Sequence, residues 1–501
     1  MHFKEEKAMY YKSTRDTEEK KLLSAEVIKK GLADDGGLFI PTEIPELTKE
    51  DIKKITSLSY PERAAFVMGK FLTDFTYDEL IEDCKAAYSE DSFVGGAAPL
   101  VNMNDNIYSL ELWHGPTAAF KDMALQLMPR LLVRSLKKTG EKRTALILVA
   151  TSGDTGKAAL EGYRDVNGVK IMVFYPAHGV SRIQKLQMAT QLGENVFVSA
   201  IDGNFDDAQN GVKKIFSDEE FAKELDKKGY FLSSANSINW GRLAPQIVYY
   251  VSAYCDLLKE KKIRYGAKIN VCVPTGNFGN ILAAYIAKLM GLPINKLICA
   301  SNVNNILTDF LRTGTYDRNR DFHVTMSPSM DILISSNLER LLAFTAGAEK
   351  TAEYMESLAK TGAYTVSPEI LAKINESFVG YYTDEKATAA EIKKNFNEYD
   401  YLHDTHTAVA MNAAEQYIKE TKDNKPIVVA STASPYKFVS DVLESLGANR
   451  PVDDIFGLDA LSLITGTEIT PPLRDIDKRD IRFAGCVHPT QMKETVFNYV
   501  K

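Results

Sequence analysis

Several things are scarce in this chain, and each scarcity excludes something. No run approaches the roughly eighteen consecutive apolar residues of a membrane-crossing helix, so no membrane span is expected. There is no surplus of positive charge: 60 Lys and Arg stand against 67 Asp and Glu, a formal net charge of −7. That balance argues against a nucleic-acid surface, which needs a basic face. The first residues, "MHFKEEKAMYYKSTRD", lack an apolar core, so no secretory signal is expected. Cysteines number five, at Cys84, Cys255, Cys272, Cys299 and Cys486, with no C-x-x-C pair and no metal-like His/Cys spacing. Zinc is therefore not expected, and a reduced, cytoplasmic protein is the simplest reading. Cys272 and Cys299 fall inside apolar runs and read as small core residues. Low-complexity segments and convincing internal repeats are missing too.

What is present is an ordinary soluble composition, 45% hydrophobic and 25% charged, in 501 residues. That length predicts two or three domains. From position 144 short apolar runs alternate with helix-period stretches. The runs are "TALILVA", "VKIMVFYP", "NVFVSAI", "KINVCVP", "NKLICAS" and "KPIVVAS". Such alternation predicts an α/β fold built on doubly covered parallel sheet. Ligands then bind beyond the carboxyl ends of the strands, in the loops entering helices. Residues 1–93 have caps, prolines and helical periodicity but no long buried strand, and read as a small N-terminal domain. The catalytic region is expected over 94–470, with a charged, helix-rich insertion at about 314–425, and a C-terminal segment over 471–501.

"HGPTAAFKD" (114–122) places Lys121 where a helix, "MALQLMPRLLVRSLKK", is about to begin. The positive end of a helix dipole suits Asp122 and not a lysine. Two explanations stand: a lysine whose stem packs while its ammonium reaches water, or one kept desolvated so that its amine can be deprotonated and nucleophilic.

Four polar loops, three of them at expected strand ends, carry the remaining chemistry. "PTGNFGN" sets Thr275, Gly276, Asn277, Phe278, Gly279 and Asn280 between a strand and a helix. It reads as a phosphate cradle or as a tight turn needing glycine. "ATSGDTGKAA" fails as a nucleotide P-loop, because Thr151 and Ala158 stand where that motif needs glycine and Ser/Thr. What is left is a hydroxyl-rich turn in which Thr151, Ser152 and Thr155 suit a carboxylate or a small phosphate, or simply cap a helix. "SSANSINWGR" groups Asn236, Ser237, Asn239 and Arg242, a set suited to a dianionic phosphate, or a surface loop. In "VVASTASP", Ser434-Pro435 is a good helix start, which leaves Thr432 free for a ligand. His403 and His406 in "HDTHTAV" lack a further metal ligand and read as a loop-to-helix feature.

Taken in order, "DDGGLFIP", "HGPTAAFKDM", "ATSGDTGKAA", "SSANSINWGR", "PTGNFGN", "SNLERLL", "HDTHTAV" and "STASPYKF" resemble the threonine synthases. These are pyridoxal-phosphate enzymes whose fold is shared with the tryptophan synthase β-subunit and the serine/threonine dehydratases. The organisation is similar to the longer microbial and fungal branch, and a plant-type regulatory extension is not evident. The resemblance implies two doubly wound parallel-sheet subdomains and the cofactor pyridoxal 5'-phosphate. It implies that Lys121 forms the internal Schiff base, that Gly276, Asn277, Phe278, Gly279 and Asn280 hold the cofactor phosphate, and that Thr432 faces the pyridine nitrogen. It makes Thr151, Ser152 and Thr155 substrate-anchoring residues and Asn236, Ser237 and Arg242 the substrate phosphate site. Asp154 replaces the Asn of many relatives with this fold, and its role is left open. The implied reaction converts O-phospho-L-homoserine and water into L-threonine and phosphate, in a monomer or homodimer without nucleic-acid or membrane partners. Three alternatives remain: a dehydratase or other lyase of the same fold, a cofactor-binding protein without turnover, and a nucleotide-binding protein, the last weakened by the failed P-loop.

Overall fold

All six expected strands form in the computed structural model, which describes residues 8–18, 21–104, 106–151, 153–178 and 180–500. They are Thr144–Ala150, Val169–Pro176, Val196–Ile201, Ile269–Pro274, Ile294–Ser301 and Ile427–Ser431. Apolar runs of five to eight residues bury on both faces, and the strands show it. Val271 and Val273 lie in one hydrophobic cluster while Cys272, between them, lies in another. Ile147 and Val149 are likewise separated from Leu146 and Leu148. Alternate side chains entering different cores is what a sheet covered by helices on both faces requires.

The strands sort into two sheets. One has five strands in the order Cys486–Val487, Val196–Ile201, Val169–Pro176, Thr144–Ala150, Tyr230–Ser233, paired in parallel throughout. The other has six, in the order Phe378–Tyr382, Ile294–Ser301, Ile269–Pro274, Ile427–Ser431, Ile107–Glu111, Leu100–Asn102. Only the edge strand Leu100–Asn102 runs antiparallel to its neighbour in that sheet. The architecture is therefore α/β with two doubly wound sheets.

The N-terminal stretch pairs Tyr11–Ser13 with Phe39–Pro41 and continues into helices. Three of these start at capping boxes, Thr48 with Asp51, Ser59 with Glu62 and Thr76 with Glu79. It packs on the long helix Trp240–Lys259, with the rings of Tyr11 and Phe71 at 5.4 and 5.6 Å from Trp240. One hydrophobic cluster runs from this stretch into both sheets. The stretch 314–425 includes the helices Ala348–Thr361 and Glu385–Tyr399 and contributes the edge strand Phe378–Tyr382. The helix expected after Lys121 is two helices, Asp122–Leu125 and Met128–Lys138. Pro129 has no N–H to donate backwards, so it sits in the first turn of the second helix rather than inside one continuous helix.

Candidate functional site

Both sheets present the carboxyl ends of their strands to the same set of loops. Residues 112–121 follow Ile107–Glu111, 275–278 follow Ile269–Pro274, and 432–434 follow Ile427–Ser431, three adjacent strands of the six-stranded sheet. Residues 151–153 follow Thr144–Ala150 and 234–239 follow Tyr230–Ser233, neighbours in the five-stranded sheet. The lysine loop is stitched to the third of these: the Phe120 N–H donates to the Thr432 carbonyl at 2.8 Å and the Ser434 N–H to Ala118 at 3.1 Å.

Lys121 is buried to 11% side-chain exposure. Its Nζ lies 3.4 Å from the Ser329 hydroxyl and 3.7 Å from Asp154 Oδ2. Burial pulls its pKa down to about 8; Asp154 opposes the shift, while the cations of Arg242 and Lys437 add to it. The helix it precedes has four residues, too short for a sizeable dipole, so desolvation and neighbouring charge explain the amine. Asp154 is flanked by two lysines, with Lys437 Nζ 2.8 Å from its Oδ1. Burial works against its charge, and Lys437 and Lys121 outweigh burial to hold the carboxyl below the ordinary carboxylate range. Gln184 Nε2 also donates to Oδ1 at 2.8 Å.

Ser329, on the turn Pro328–Met330, touches two parts of the site. Its hydroxyl meets Lys121, and its carbonyl lies 2.5 Å from where a Cβ on Gly276 would stand. Its N–H donates to His406 Nε2 at 3.0 Å, and His406 Nδ1 pairs with Asp404 at 3.0 Å, so the proton sits on Nδ1. Asp404 caps the helix Thr405–Thr421 and accepts the Thr407 hydroxyl, which in turn accepts the Thr432 N–H at 3.2 Å. The "HDTH" stretch thus supports the site from behind.

In the glycine-rich loop the left-handed position belongs to Phe278 (φ 62°), whose buried ring packs on Phe378 at 5.5 Å. Phe278 therefore offers its backbone, not its side chain. Gly276 and Asn277 present carbonyls to Ser335 (2.7 Å) and to the N–H and Nδ2 of Asn337 (3.1 and 3.0 Å), with the Asn277 side chain exposed. The Asn280 side-chain oxygen Oδ1 accepts from the hydroxyls of Tyr249 and Tyr250, while its Nδ2 is buried without a partner among the described residues. The helix Gly279–Leu289 leaves its first amides free of intrahelical partners. Glycine backbone, free amides and an unsatisfied buried donor form a set that fits a phosphate group. A buried amine of lowered pKa beside it fits an aldehyde. Pyridoxal phosphate carries both groups.

Thr151 is buried, and its hydroxyl accepts the N–H of Gly153 (3.0 Å) and of Gly156 (2.9 Å), turning the loop while leaving its own proton to donate. Thr155 is half-buried in the first turn of Asp154–Tyr163, and Ser152 lies outside the described residues. Asn236 and Ser237 are half-buried. Ser237 accepts from Asn337 Nδ2 at 3.2 Å, and its Cβ would stand 3.7 Å from a Cβ on Gly279, so this loop abuts the glycine-rich one. Arg242 is buried, and among the described residues its side chain makes one hydrogen bond, from Nη1 to the Ala235 carbonyl at 2.8 Å. Among the described residues no carboxylate lies within ion-pair distance of it, and burial lowers its pKa to about 10. Arg340 is its opposite: equally buried, it is used up on Phe39, Ser237, Ile238 and Asn337 and serves as a clamp.

Lys437, Ser329, Gln184, Asn337 and Arg340 were not singled out by the sequence reasoning. The last two sit in "SNLERLL" and Lys437 in "STASPYKF", where nothing local separates them from surface polar residues. A cavity of about 860 Å³ near Leu23, Lys29, Lys138 and Arg143 contains none of the site residues, and its charges pair with Glu141 and Glu79. Among the described residues there is no metal-holding group of three or more His, Cys, Asp or Glu, and no helix is long and apolar enough to cross a membrane.

Residues 10–88 match the family described as threonine synthase N terminus, 95–433 that described as pyridoxal-phosphate dependent enzyme, and 407–490 that described as threonine synthase, C-terminal. The chain is 41% identical over 434 residues to the human "Threonine synthase-like 1", covering 84% of this chain and 58% of that protein. It thus spans little more than half the length of that relative. It is 39% identical over 431 residues to a threonine synthase of Pseudomonas aeruginosa, covering 85% of this chain and 88% of that one. The crystal structure of a PLP-bound threonine synthase from Brucella melitensis superimposes with a TM-score of 0.87 at 37% identity, over 99% of this chain and all of that one.

Proposed function

Since the chain belongs to the pyridoxal-phosphate-dependent enzymes, in their threonine synthase branch, we propose that it is a threonine synthase acting on O-phospho-L-homoserine and water to give L-threonine and phosphate. The cofactor is pyridoxal phosphate. Lys121 would hold it covalently, the amides of the 276–280 loop would hold its phosphate, and the Thr432 hydroxyl would face its ring nitrogen. Bound there, the cofactor supplies the electron sink that lets a proton leave the α-carbon of an amino acid.

The observation that carries the reading is Arg242. A buried guanidinium with one carbonyl partner and no carboxylate is costly unless an anion arrives from outside. The glycine-rich loop already provides one phosphate site, so Arg242, with Asn236 and Ser237, provides a second for the γ-phosphate of the substrate. A plain hydroxyamino acid would leave that cation unpaired, which favours a phosphorylated substrate over the substrate of a dehydratase. Thr151, Ser152 and Thr155 would anchor the substrate. The Lys121 amine would move protons at the substrate carbons, which needs a pKa near working pH. A cytoplasmic location is part of the same reading.

Incubation of the purified protein with O-phospho-L-homoserine tests this, with phosphate and threonine measured together. Equal amounts of the two are expected. Phosphate accompanied by 2-oxobutyrate in place of threonine would assign the chain to the eliminating lyases, and release of neither product would overturn the reading.

A further inference from the structure

We propose that Lys437 is a positioning residue: its buried ammonium holds the Asp154 carboxylate and offsets its charge, so that the Lys121 amine can lose and regain a proton near neutral pH. The inference rests on the reading of Lys121 as the cofactor-bearing lysine.

The geometry is a row of three charges. Lys437 lies in the short turn Pro435–Phe438 with its side chain fully buried. Its ammonium donates to the Thr117 carbonyl at 2.9 Å and meets Asp154 Oδ1 at 2.8 Å. Thr117 belongs to the lysine loop, and Asp154 opens the helix Asp154–Tyr163. The second oxygen of Asp154 faces Lys121 at 3.7 Å. One carboxylate therefore sits between two lysines, one on each oxygen. The other charged group acting on Lys121 is Arg242. Asp122, tied to the Thr117 N–H and hydroxyl at 2.8 and 2.7 Å, acts on Lys437. Ser329 completes the surroundings of Lys121 and leads to His406 and Asp404.

A lone carboxylate at this distance would raise the pKa of a buried lysine by about 1 to 3 and keep it protonated. Such an amine could neither attack an aldehyde nor accept a proton from a substrate carbon. Lys437 offsets part of that effect: its cation holds the same carboxylate at the closer contact, 2.8 against 3.7 Å, and itself disfavours a second charge on Lys121. It also keeps Asp154 paired when Lys121 is neutral, so proton release strands no buried charge. If Lys437 only tied the Thr117 carbonyl to the turn, its loss would lower stability and leave the Lys121 amine unchanged.

The test is made on the cofactor-free full chain. Lys121 is acylated with acetic anhydride across a pH series, and modification of its peptide is quantified by mass spectrometry. The wild-type midpoint is expected near the pKa of about 8. Lys437→Met should raise the midpoint by about one pH unit or more, which lowers labelling at pH 7.5 about tenfold. Lys437→Arg should leave it in place, and Asp154→Asn should lower it by about one unit. An unchanged or lowered midpoint in folded Lys437→Met overturns the proposal. If that variant does not fold, an unchanged midpoint in Asp154→Asn overturns it instead. Borohydride fixation of pyridoxal phosphate on a lysine other than Lys121 would fail the parent reading without moving these midpoints.

Discussion

Arg242→Met should separate what a site residue does for stability from what it does for binding, with opposite signs. In the cofactor-free protein the guanidinium is buried and uncompensated, and its pKa is lowered from 12.5 to about 10. At 1.36 kcal/mol per unit, the folded protein carries a penalty of about 3 kcal/mol below pH 10. Methionine fills a similar volume without charge and removes that penalty. It also leaves the Ala235 carbonyl without its donor, a cost of about 1 to 3 kcal/mol. The two terms nearly offset, so the variant should unfold in urea with unchanged stability or a gain of up to about 2 kcal/mol. Substrate binding should weaken by about 2 to 5 kcal/mol, since the substrate phosphate loses its buried partner. Trp240, two residues away and packed against Tyr11 and Phe71, reports the unfolding by fluorescence. With the cofactor loaded, added inorganic phosphate should raise the urea midpoint of wild type and not of the variant. Arg340→Met is the control: four acceptors lose their donor, and stability should fall by about 3 kcal/mol or more. A destabilised Arg242→Met that phosphate still protects would refute the reasoning, because Arg242 would then be a second structural clamp.

Three further outcomes follow from the same geometry. Gly276→Ala places a methyl 2.5 Å from the Ser329 carbonyl, so the turn carrying Ser329 must move off Lys121, and spectral titration should show affinity for pyridoxal phosphate falling about tenfold or more. Lys121 has a folded pKa of about 8 against 10.5 in the unfolded chain, so between those values the unfolded chain binds the proton that the folded one has released. The unfolding free energy of wild type minus that of Lys121→Met should accordingly rise between pH 8 and 10.5, by up to about 3 kcal/mol, and a flat difference would contradict the lowered pKa. Thr407→Val strands the Thr432 N–H and one oxygen of Asp404, so chemical denaturation should show a loss of about 2 kcal/mol that Thr407→Ser largely restores.

The six central strands could be read from sequence because they are buried on both faces, and such strands are continuous apolar runs. Those that escaped lie at edges or carry polar residues. Tyr230–Ser233 is half-exposed along most of its length. Phe378–Tyr382 holds a glycine and lies among charged helices. Ile107–Glu111 is wholly buried yet ends in a carboxylate, which Tyr401 and His114 satisfy from 290 residues downstream and three residues downstream. No local pattern carries the Tyr401 contact, so a buried glutamate reads as a surface one. The broken helix after Lys121 had its signal in Pro129, which falls in the first turn of the second helix.

The site divides in the same way. Loops that bind through backbone need glycine and small polar residues in a compact run, and that run is visible at 276–280 and 151–156. Residues that act through charge are visible only once their distances are known. Asp154 shows why. At a helix start an aspartate is favourable whatever it faces, so the sequence leaves its role open. Placed between Lys121 and Lys437, the same carboxylate bears on whether the amine can be deprotonated, and its pull on the proton is opposed by a lysine 283 residues away, at 2.8 Å. A lysine in an apolar segment is compatible with a snorkelling stem, but a fully buried side chain bonded to a carbonyl and a carboxylate is not. The question raised by Lys121 at a helix start is therefore answered by charge balance: two cations and burial keep its amine near neutrality, and the carboxylate that would have fixed its proton is already engaged.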